Sequence, residues 1–375
     1  MQAHRLALQL TKMGIRVEVL TGTDNAELVG KSVVDGISVI RVLRNKSSRF
    51  SHLKFGWNIF RFIAKNKSRY DLLHSHGFHA PVNLASMFTG IPLVQKITNL
   101  NVDDPLTIRG RRYGFFRLNL FQNARAIIAT SQLLEDTCNF VLRGKNDTIR
   151  IPNGVNTQEF RPATQQQKTC LREKLLLPQD KIVLLTVGTV SYIKGLDRLL
   201  KALNKLQERI DKKFMLVVLG PLETRQAFRR TDPKVDFYVE NMHEMISAFG
   251  LQQAVRFEGN RSNVHEYMKA ADLFIHPSRQ EGQPNALLEA MACGLTSVAH
   301  LIPGITDEII QNGKFGFIVD CDDTESFAAA LKVLINNPRL RSRIAENARR
   351  EIRSKYDIKT VAESYFNLYQ KILLS

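Results

Sequence analysis

Two doubly wound α/β domains are the fold this sequence predicts, on three observations. Strand-like and helix-like stretches alternate through all 375 residues, the pattern of parallel sheets with crossover helices. The alternation starts afresh after a polar, linker-like break at Ala163–Gln167. The length also suits two domains. Sheets of this kind take their ligands at the carboxyl ends of the strands. The expectation is therefore two Rossmann-like domains facing a central cleft, over residues 1–160 and 161–354, with 355–375 as a closing helix.

Taken in order, residues 3–13 have helical periodicity, and Val17–Leu20 is a strand running into Thr21-Gly22. A doubly wound domain normally opens with a buried strand and a Gly-rich turn. Here the opening is a helix, so the first strand and its Gly-rich loop are expected to be missing. Val39–Val42 reads as a strand, Gly56–Ala64 as a helix, Asp71–His74 as a strand and His79–Phe88 as a helix. Pro92–Thr98, Ala126–Thr130 and Asp147–Ile151 complete the strands of the first series. The second series gives strands at Ile182–Val187, Phe214–Leu219, Val255–Glu258, Leu273–His276, Thr296–Ala299 and Gly316–Val319. Its helices are Leu196–Arg209, part of Val235–Phe249, Val264–Ala270, Asn285–Cys293, Thr306–Ile310, Thr324–Asn336 and Arg339–Lys355. Ile358–Leu374 is a final amphipathic helix.

Composition is that of a water-soluble globular chain, with 44% hydrophobic and 24% charged residues. No run approaches 18 apolar residues, and the segment after Met1 has helical periodicity rather than a signal peptide's pattern. Cys138, Cys170, Cys293 and Cys321 are far apart, which argues for a reducing, cytoplasmic setting and against structural zinc. The net charge of +17 is uneven: residues 1–160 hold 22 Lys/Arg against 11 Asp/Glu. A basic first half suits an anionic partner. Arg109–Arg125 interleaves cations with Phe115, Phe116, Leu118, Leu120 and Phe121. It reads either as an interfacial helix on an anionic membrane surface or as a core-packed helix with a basic outer face. No nucleic-acid motif is present.

The richest segment is HPSRQEGQPNALLEAMACG, from His276 to Gly294. It puts Glu281 in a Gly/Pro-broken loop and Glu289 inside the following helix, with Pro284 suited to that helix's first turn. Two carboxylates beside a helix N-terminus, whose N–H groups favour anions, suit a ligand bearing both hydroxyls and phosphates, such as a nucleotide sugar. Leu184–Gly195 ends a buried strand at Gly188 and delivers Lys194 to a helix start, where a lysine meets a diphosphate as a point charge. His76 follows a strand and suits either a sugar hydroxyl or a helix cap. Asp103 and Asp104 are offered at a loop for acceptor binding. No P-loop, serine-hydrolase, zincin or dinucleotide signature occurs in the required setting.

Seven segments, in order, resemble the family 4 retaining glycosyltransferases of GT-B fold: DLLHSH (71–76), IIATS (127–131), IPNGVNTQEFRP (151–162), VGTVSYIKGLDRLL (187–200), ADLFIHPS (271–278), 281–294 and PGITDEII (303–310). The resemblance implies that Glu281 contacts the donor sugar near the reacting carbon and Glu289 holds the ribose hydroxyls. It implies that Lys194 binds the diphosphate and stabilises the leaving group. Gly188, Thr189, Gly282, Asn285, Ala286 and Leu287 would complete the donor site, and the last helix would cross back to the first domain. The co-substrate would be a UDP- or GDP-sugar, with no metal strictly required and no other cofactor. The acceptor would be a glycan or a lipid-linked molecule.

Three departures accompany the resemblance. Thr189 stands where the family has a second phosphate-binding Arg. The Gly-rich loop is missing, and Thr98 replaces a His beside the donor. The first two leave open a non-catalytic nucleotide-sugar-binding scaffold, while Lys96-Ile97-Thr98 resembles a K-x-T pattern of some relatives and would mark a subgroup; a nucleotide-sugar epimerase on the same fold is a third reading.

Overall fold

A computed structural model describes residues 2–44, 51–144, 147–211, 213–222 and 237–374. The chain forms two units, one of residues 1–154 with 358–375, the other of 155–357. Residues 235 and 236, part of the Val235–Phe249 expectation, lie outside the described residues.

The first unit opens with α1 (Gln2–Lys12), which buries Leu6, Ala7 and Leu10. Then come β1 (Glu18–Thr23), β2 (Gly30–Val34) and β3 (Ile37–Leu43), in the order β1-β3-β2. β2 and β3 form an antiparallel hairpin. Its two-residue turn, Asp35-Gly36, has φ of 49° and 81°, as a hairpin that keeps the strand twist requires. α2 (Ser51–Lys65), β4 (Leu73–His76), α3 (Ala80–Thr89), β5 (Leu93–Lys96), α4 (Pro105–Gly110), α5 (Gly114–Gln122), β6 (Ala126–Ala129), α6 (Gln132–Leu142) and β7 (Thr148–Arg150) follow. The four later strands form a parallel sheet in the order β4-β5-β6-β7. Both its faces are buried, which gives apolar runs such as AIIA in β6.

The single basic helix expected over Arg109–Arg125 is instead two, α4 and α5. Tyr113 breaks it, in the left-handed conformation at φ 61°. An L side chain there cannot continue a right-handed helix.

The second unit begins with α7 (Gln165–Lys174), where the sequence predicts a linker. The helix is specified by its end rather than by an apolar stripe. Thr164 and Gln167 form a reciprocal capping box. Arg172 and Lys168 then anchor the helix on Asp272 at 2.6 Å each. Burial raises the pKa of Asp272, and Lys168 and Arg172 more than offset it, so the group ends below its ordinary value.

Next come β8 (Ile182–Val187), α8 (Leu196–Gln207), β9 (Phe214–Leu219), α9 (Tyr238–Ala248), β10 (Val255–Gly259), α10 (Val264–Ala270) and β11 (Leu273–His276). α11 (Asn285–Ala292), β12 (Thr296–His300), α12 (Thr306–Ile309), β13 (Phe317–Val319), α13 (Thr324–Asn336) and α14 (Pro338–Lys355) complete the unit. All six strands are parallel, in the order β10-β9-β8-β11-β12-β13. Counted from β8 this is 3-2-1-4-5-6, the doubly wound order whose direction reverses between its first and fourth strands.

The chain enters and leaves this unit side by side: Val155 N–H donates to Tyr356 O at 2.8 Å. It then closes with α15 (Ile358–Leu374), which belongs to the first unit. There Val361, Ala362, Tyr365, Leu368, Tyr369 and Ile372 pack with Val94, Ala126 and Ile128. No helix among the described residues is long and apolar enough to cross a membrane.

Candidate functional site

The reversal between β8 and β11 opens a crevice at the carboxyl ends of both strands, and the sequence loads it with its most distinctive residues. β8 runs directly into Gly188, with φ 153°. A Cβ on Gly220, at the end of β9, would meet Gly188 O at 2.0 Å, so the two loops touch backbone to backbone. A 3-10 turn, Tyr192–Lys194, leads to Gly195 at φ 70° and so into α8. A Cβ on Gly195 would lie 2.2 Å from Pro277 O. Only glycine lets the loop after β8 approach the loop after β11 this closely.

Side chains then lock the two loops. Arg279 forms a bidentate pair with Asp197 at 2.8 and 2.6 Å. It also donates to Tyr192 O at 2.7 Å and lies 4.0 Å from the centroid of the Tyr192 ring. Tyr238 Oη donates to Asp197 at 2.7 Å. Arg198 holds Pro277 O at 3.3 Å and Asp322 at 2.7 Å. Arg198 and Arg279 are thus both committed to protein groups.

Glu281 is central and nearly buried. Its Oε1 is 2.6 Å from Lys194 Nζ and 3.1 Å from His276 Nε2. The His276 contact has an ion-pair distance but not hydrogen-bond alignment. Burial alone would raise the pKa of Glu281; His276 and Lys194 reverse that and bring it down to about 2. The carboxylate is therefore ionised across the neutral range. A cavity at this junction is lined by Gly188, Thr189, Lys194, His276, Pro277 and Ser278, among others.

Gly282 leads toward α11, for which Pro284 is the N-cap, one position before the first turn where the sequence puts it. Pro at the cap sacrifices no intrahelical donor. Asn285 and Glu289 are four apart in α11 and share a face. Glu289 is buried, as is Leu287, while Ala286 packs partly buried against the core. The structure thus gathers Gly188, Thr189, Lys194 and Glu281 at one crevice, with Gly282, Asn285, Ala286, Leu287 and Glu289 on the adjoining segment.

His76, expected among the catalytic residues, and Thr98, Asp103 and Asp104, expected on the acceptor side, lie in the first unit, at the ends of β4 and β5. His76 pairs in register with Lys96 and stacks on His74 at 4.5 Å. Burial, aided by the Lys96 charge, lowers its pKa to about 3. It is therefore neutral at neutral pH. Asp103 accepts from Thr98 N–H and Oγ1 at 3.0 and 2.7 Å, and from Asn99 N–H at 2.7 Å. Asp104 caps α4 through Thr107 N–H at 2.9 Å and Oγ1 at 2.7 Å. Both carboxylates hold the loop that carries them. Lys96, which the sequence reading gives no role, is buried and donates to Asn153 at 2.7 Å; burial lowers its pKa to about 7.

Among the described residues, His300, Asp320 and Asp322 could converge on a metal ion. His300 Nδ1 already accepts from Cys321 N–H at 3.1 Å, and Asp322 is held by Arg198.

His276, Arg279 and Asp197 are the site residues that pattern reading passes over. His276 had a local signal: it ends a buried strand five positions before Glu281. Arg279 and Asp197 had none, because they meet only once the two loops are folded.

Comparison with known proteins places these observations. Residues 167–351 match the family model described as glycosyl transferases group 1, and residues 1–154 that of the glycosyl transferase 4-like domain. The chain is 26% identical to an uncharacterized glycosyltransferase of Methanocaldococcus jannaschii, over 97% of this chain and 92% of that protein. It is 27% identical to D-inositol 3-phosphate glycosyltransferase 2 of Catenulispora acidiphila, over 92% of this chain and 83% of that one. The fold is that of Anabaena HepE, solved with UDP and glucose: TM-score 0.80 at 20% identity, covering 99% of this chain and 95% of that one. The fold is GT-B, with two Rossmann-like domains.

Proposed function

We infer that this chain, which belongs to the group 1 glycosyl transferases, binds a UDP-sugar in its second unit and hands the sugar to an acceptor hydroxyl with retention of configuration. It is a nucleotide-sugar-dependent transferase. The observation that carries the residue assignment is Lys194 and His276 converging on Glu281 at the strand-order reversal. Breaking the anomeric C–O bond puts charge on the departing diphosphate. A fixed cation, Lys194, and the N-terminus of α11 stabilise that charge as it forms. Glu281, ionised and held by two partners, faces the donor sugar near the reacting carbon. Glu289 accepts from the ribose hydroxyls. Gly188, Thr189, Gly282, Asn285, Ala286 and Leu287 shape the donor site with backbone as much as side chain. This chemistry needs positioned charge rather than a resident cofactor.

UDP is preferred over GDP because the structurally similar HepE was solved with UDP and glucose. The acceptor is assigned to a glycan or lipid-linked class. His76 is proposed as a catalytic-site contact to a sugar hydroxyl, and Thr98, Asp103 and Asp104 on the acceptor's side, the carboxylates acting through the loop they shape. The dispersed cysteines favour a reducing, cytoplasmic setting, and the basic first unit favours an anionic membrane surface within it. Neither a scaffold nor an epimerase is favoured by the named relatives.

Thermal unfolding against UDP, GDP, ADP and their sugar conjugates tests the donor assignment. A ligand at 100 times its Kd adds about 2.7 kcal/mol. Stabilisation by uridine nucleotides alone is expected; stabilisation by GDP alone overturns the choice of base. Conversion of a UDP-sugar with no acceptor present would instead support the epimerase.

A further inference from the structure

Four helices of the first unit, α2, α3, α5 and α4, form a row in which each packs on the next. None contains an acidic residue. From residue 51 to 122 the chain holds ten Lys/Arg and only Asp71, Asp103 and Asp104 as acids. Asp103 and Asp104 are buried, the first engaged by Thr98 and Asn99 and the second capping α4.

The same row exposes large apolar rings. Trp57 and Phe88 are 59% and 73% exposed, joined through Phe60 at 5.6 Å on each side. At the α4–α5 break, Tyr113, Phe115 and Phe116 are 66%, 80% and 57% exposed. Arg111 is fixed there on Val102 O at 2.7 Å, and Arg112 lies 5.0 Å from the centroid of the Tyr113 ring. Scattered exposed apolar residues are ordinary, but aromatic clusters on one helical row mark an interaction surface.

We propose that this row is the docking face for an anionic phospholipid bilayer, with the Trp57–Phe88 and Tyr113–Phe116 clusters entering the headgroup region and the surrounding Lys and Arg meeting lipid phosphates. The inference rests on the membrane reading above and names its surface. Charge complementarity selects the occupant: the face has cations without exposed acids in its helices. Amphipathic rings beside cations are the composition that sits at a bilayer interface. The clusters are spread over separate helices rather than gathered in one groove, which suits a fluid surface better than a peptide.

Co-sedimentation of the full chain with vesicles tests this. The protein should pellet with phosphatidylglycerol-containing vesicles and not with phosphatidylcholine alone. Trp57→Ser with Phe88→Ser, and separately Phe115→Ser with Phe116→Ser, should each weaken binding by about tenfold. Arg111→Glu with Arg112→Glu should do the same, while Arg339→Glu with Arg353→Glu, on the exposed part of α14, should not. All variants should keep the wild-type thermal shift with UDP, which reports an intact donor site. If the aromatic variants bind anionic vesicles like wild type, the face is wrong and the membrane reading stands. If wild type binds neither vesicle, both fall. Equal binding to both vesicles overturns the anionic requirement.

Discussion

Lys194 Nζ and Glu281 Oε1 lie 2.6 Å apart, joining the loop after β8 to the loop after β11. Each charge holds the other in place before any ligand arrives. In the proposed donor complex a bound diphosphate would compete for the lysine, so the pair would be both a latch and a reservoir of positioned charge. Lys194→Ala should therefore lower kcat for sugar transfer by about 10²–10³ while the fold persists. Steady-state kinetics with the preferred donor checks this, and unchanged transfer would remove Lys194 from the mechanism.

Glu289 is proposed to hold the ribose. Glu289→Ala should weaken UDP binding by roughly tenfold, about 1.4 kcal/mol. Calorimetry with UDP and its 2′-deoxy analogue is decisive. The analogue should bind wild type more weakly than UDP does, and the variant should no longer discriminate between them.

Gly195 carries φ 70° and has no room for a Cβ against Pro277 O. Gly195→Ala combines a left-handed strain of about 1–2 kcal/mol with a backbone clash. A lower melting temperature and a lost UDP-induced shift are expected. A variant that melts and binds like wild type would show that the loops have slack.

Lys96 gives a pH signature. Burial lowers its pKa from 10.5 to about 7. As pH falls from about 10.5 to about 7, the unfolded chain takes up the proton and the folded chain does not, so stability drops over that window. Lys96→Met removes the titration. Melting temperatures across the range should slope for wild type and flatten for Lys96→Met; parallel curves would mean the amine is solvated.

Much of the second unit was legible in the sequence because its strands are short apolar runs with sharp ends. Phe214–Leu219, Leu273–His276 and Thr324–Asn336 have the predicted bounds. The strand order could not be read, since nothing local says that β11 lies beside β8. β2 was not legible although Asp35-Gly36 is a strong hairpin signal, because GKSVV offers too little apolar alternation beside it. α6 is likewise unassigned, though Leu134, Cys138, Val141 and Leu142 mark its buried stripe. At the site, Gly188, Lys194, Glu281 and Glu289 stood out by type and spacing. The Arg279–Asp197 clasp did not, because its partners are 82 residues apart.

The placement of α15 has a consequence for how the protein is made. One of the first unit's core clusters is completed by Tyr365 and Leu368, which a ribosome adds only after the whole second unit has been synthesised. The unit begun first is thus the one finished last. In the interval Val94, Ala126 and Ile128 lack the helix that covers them, and the nascent chain carries an open apolar face. The second unit has its entire core in one continuous segment and can close without waiting. Completion of the two units during synthesis therefore runs against chain order, and the exposed nascent face is where a chaperone has reason to act.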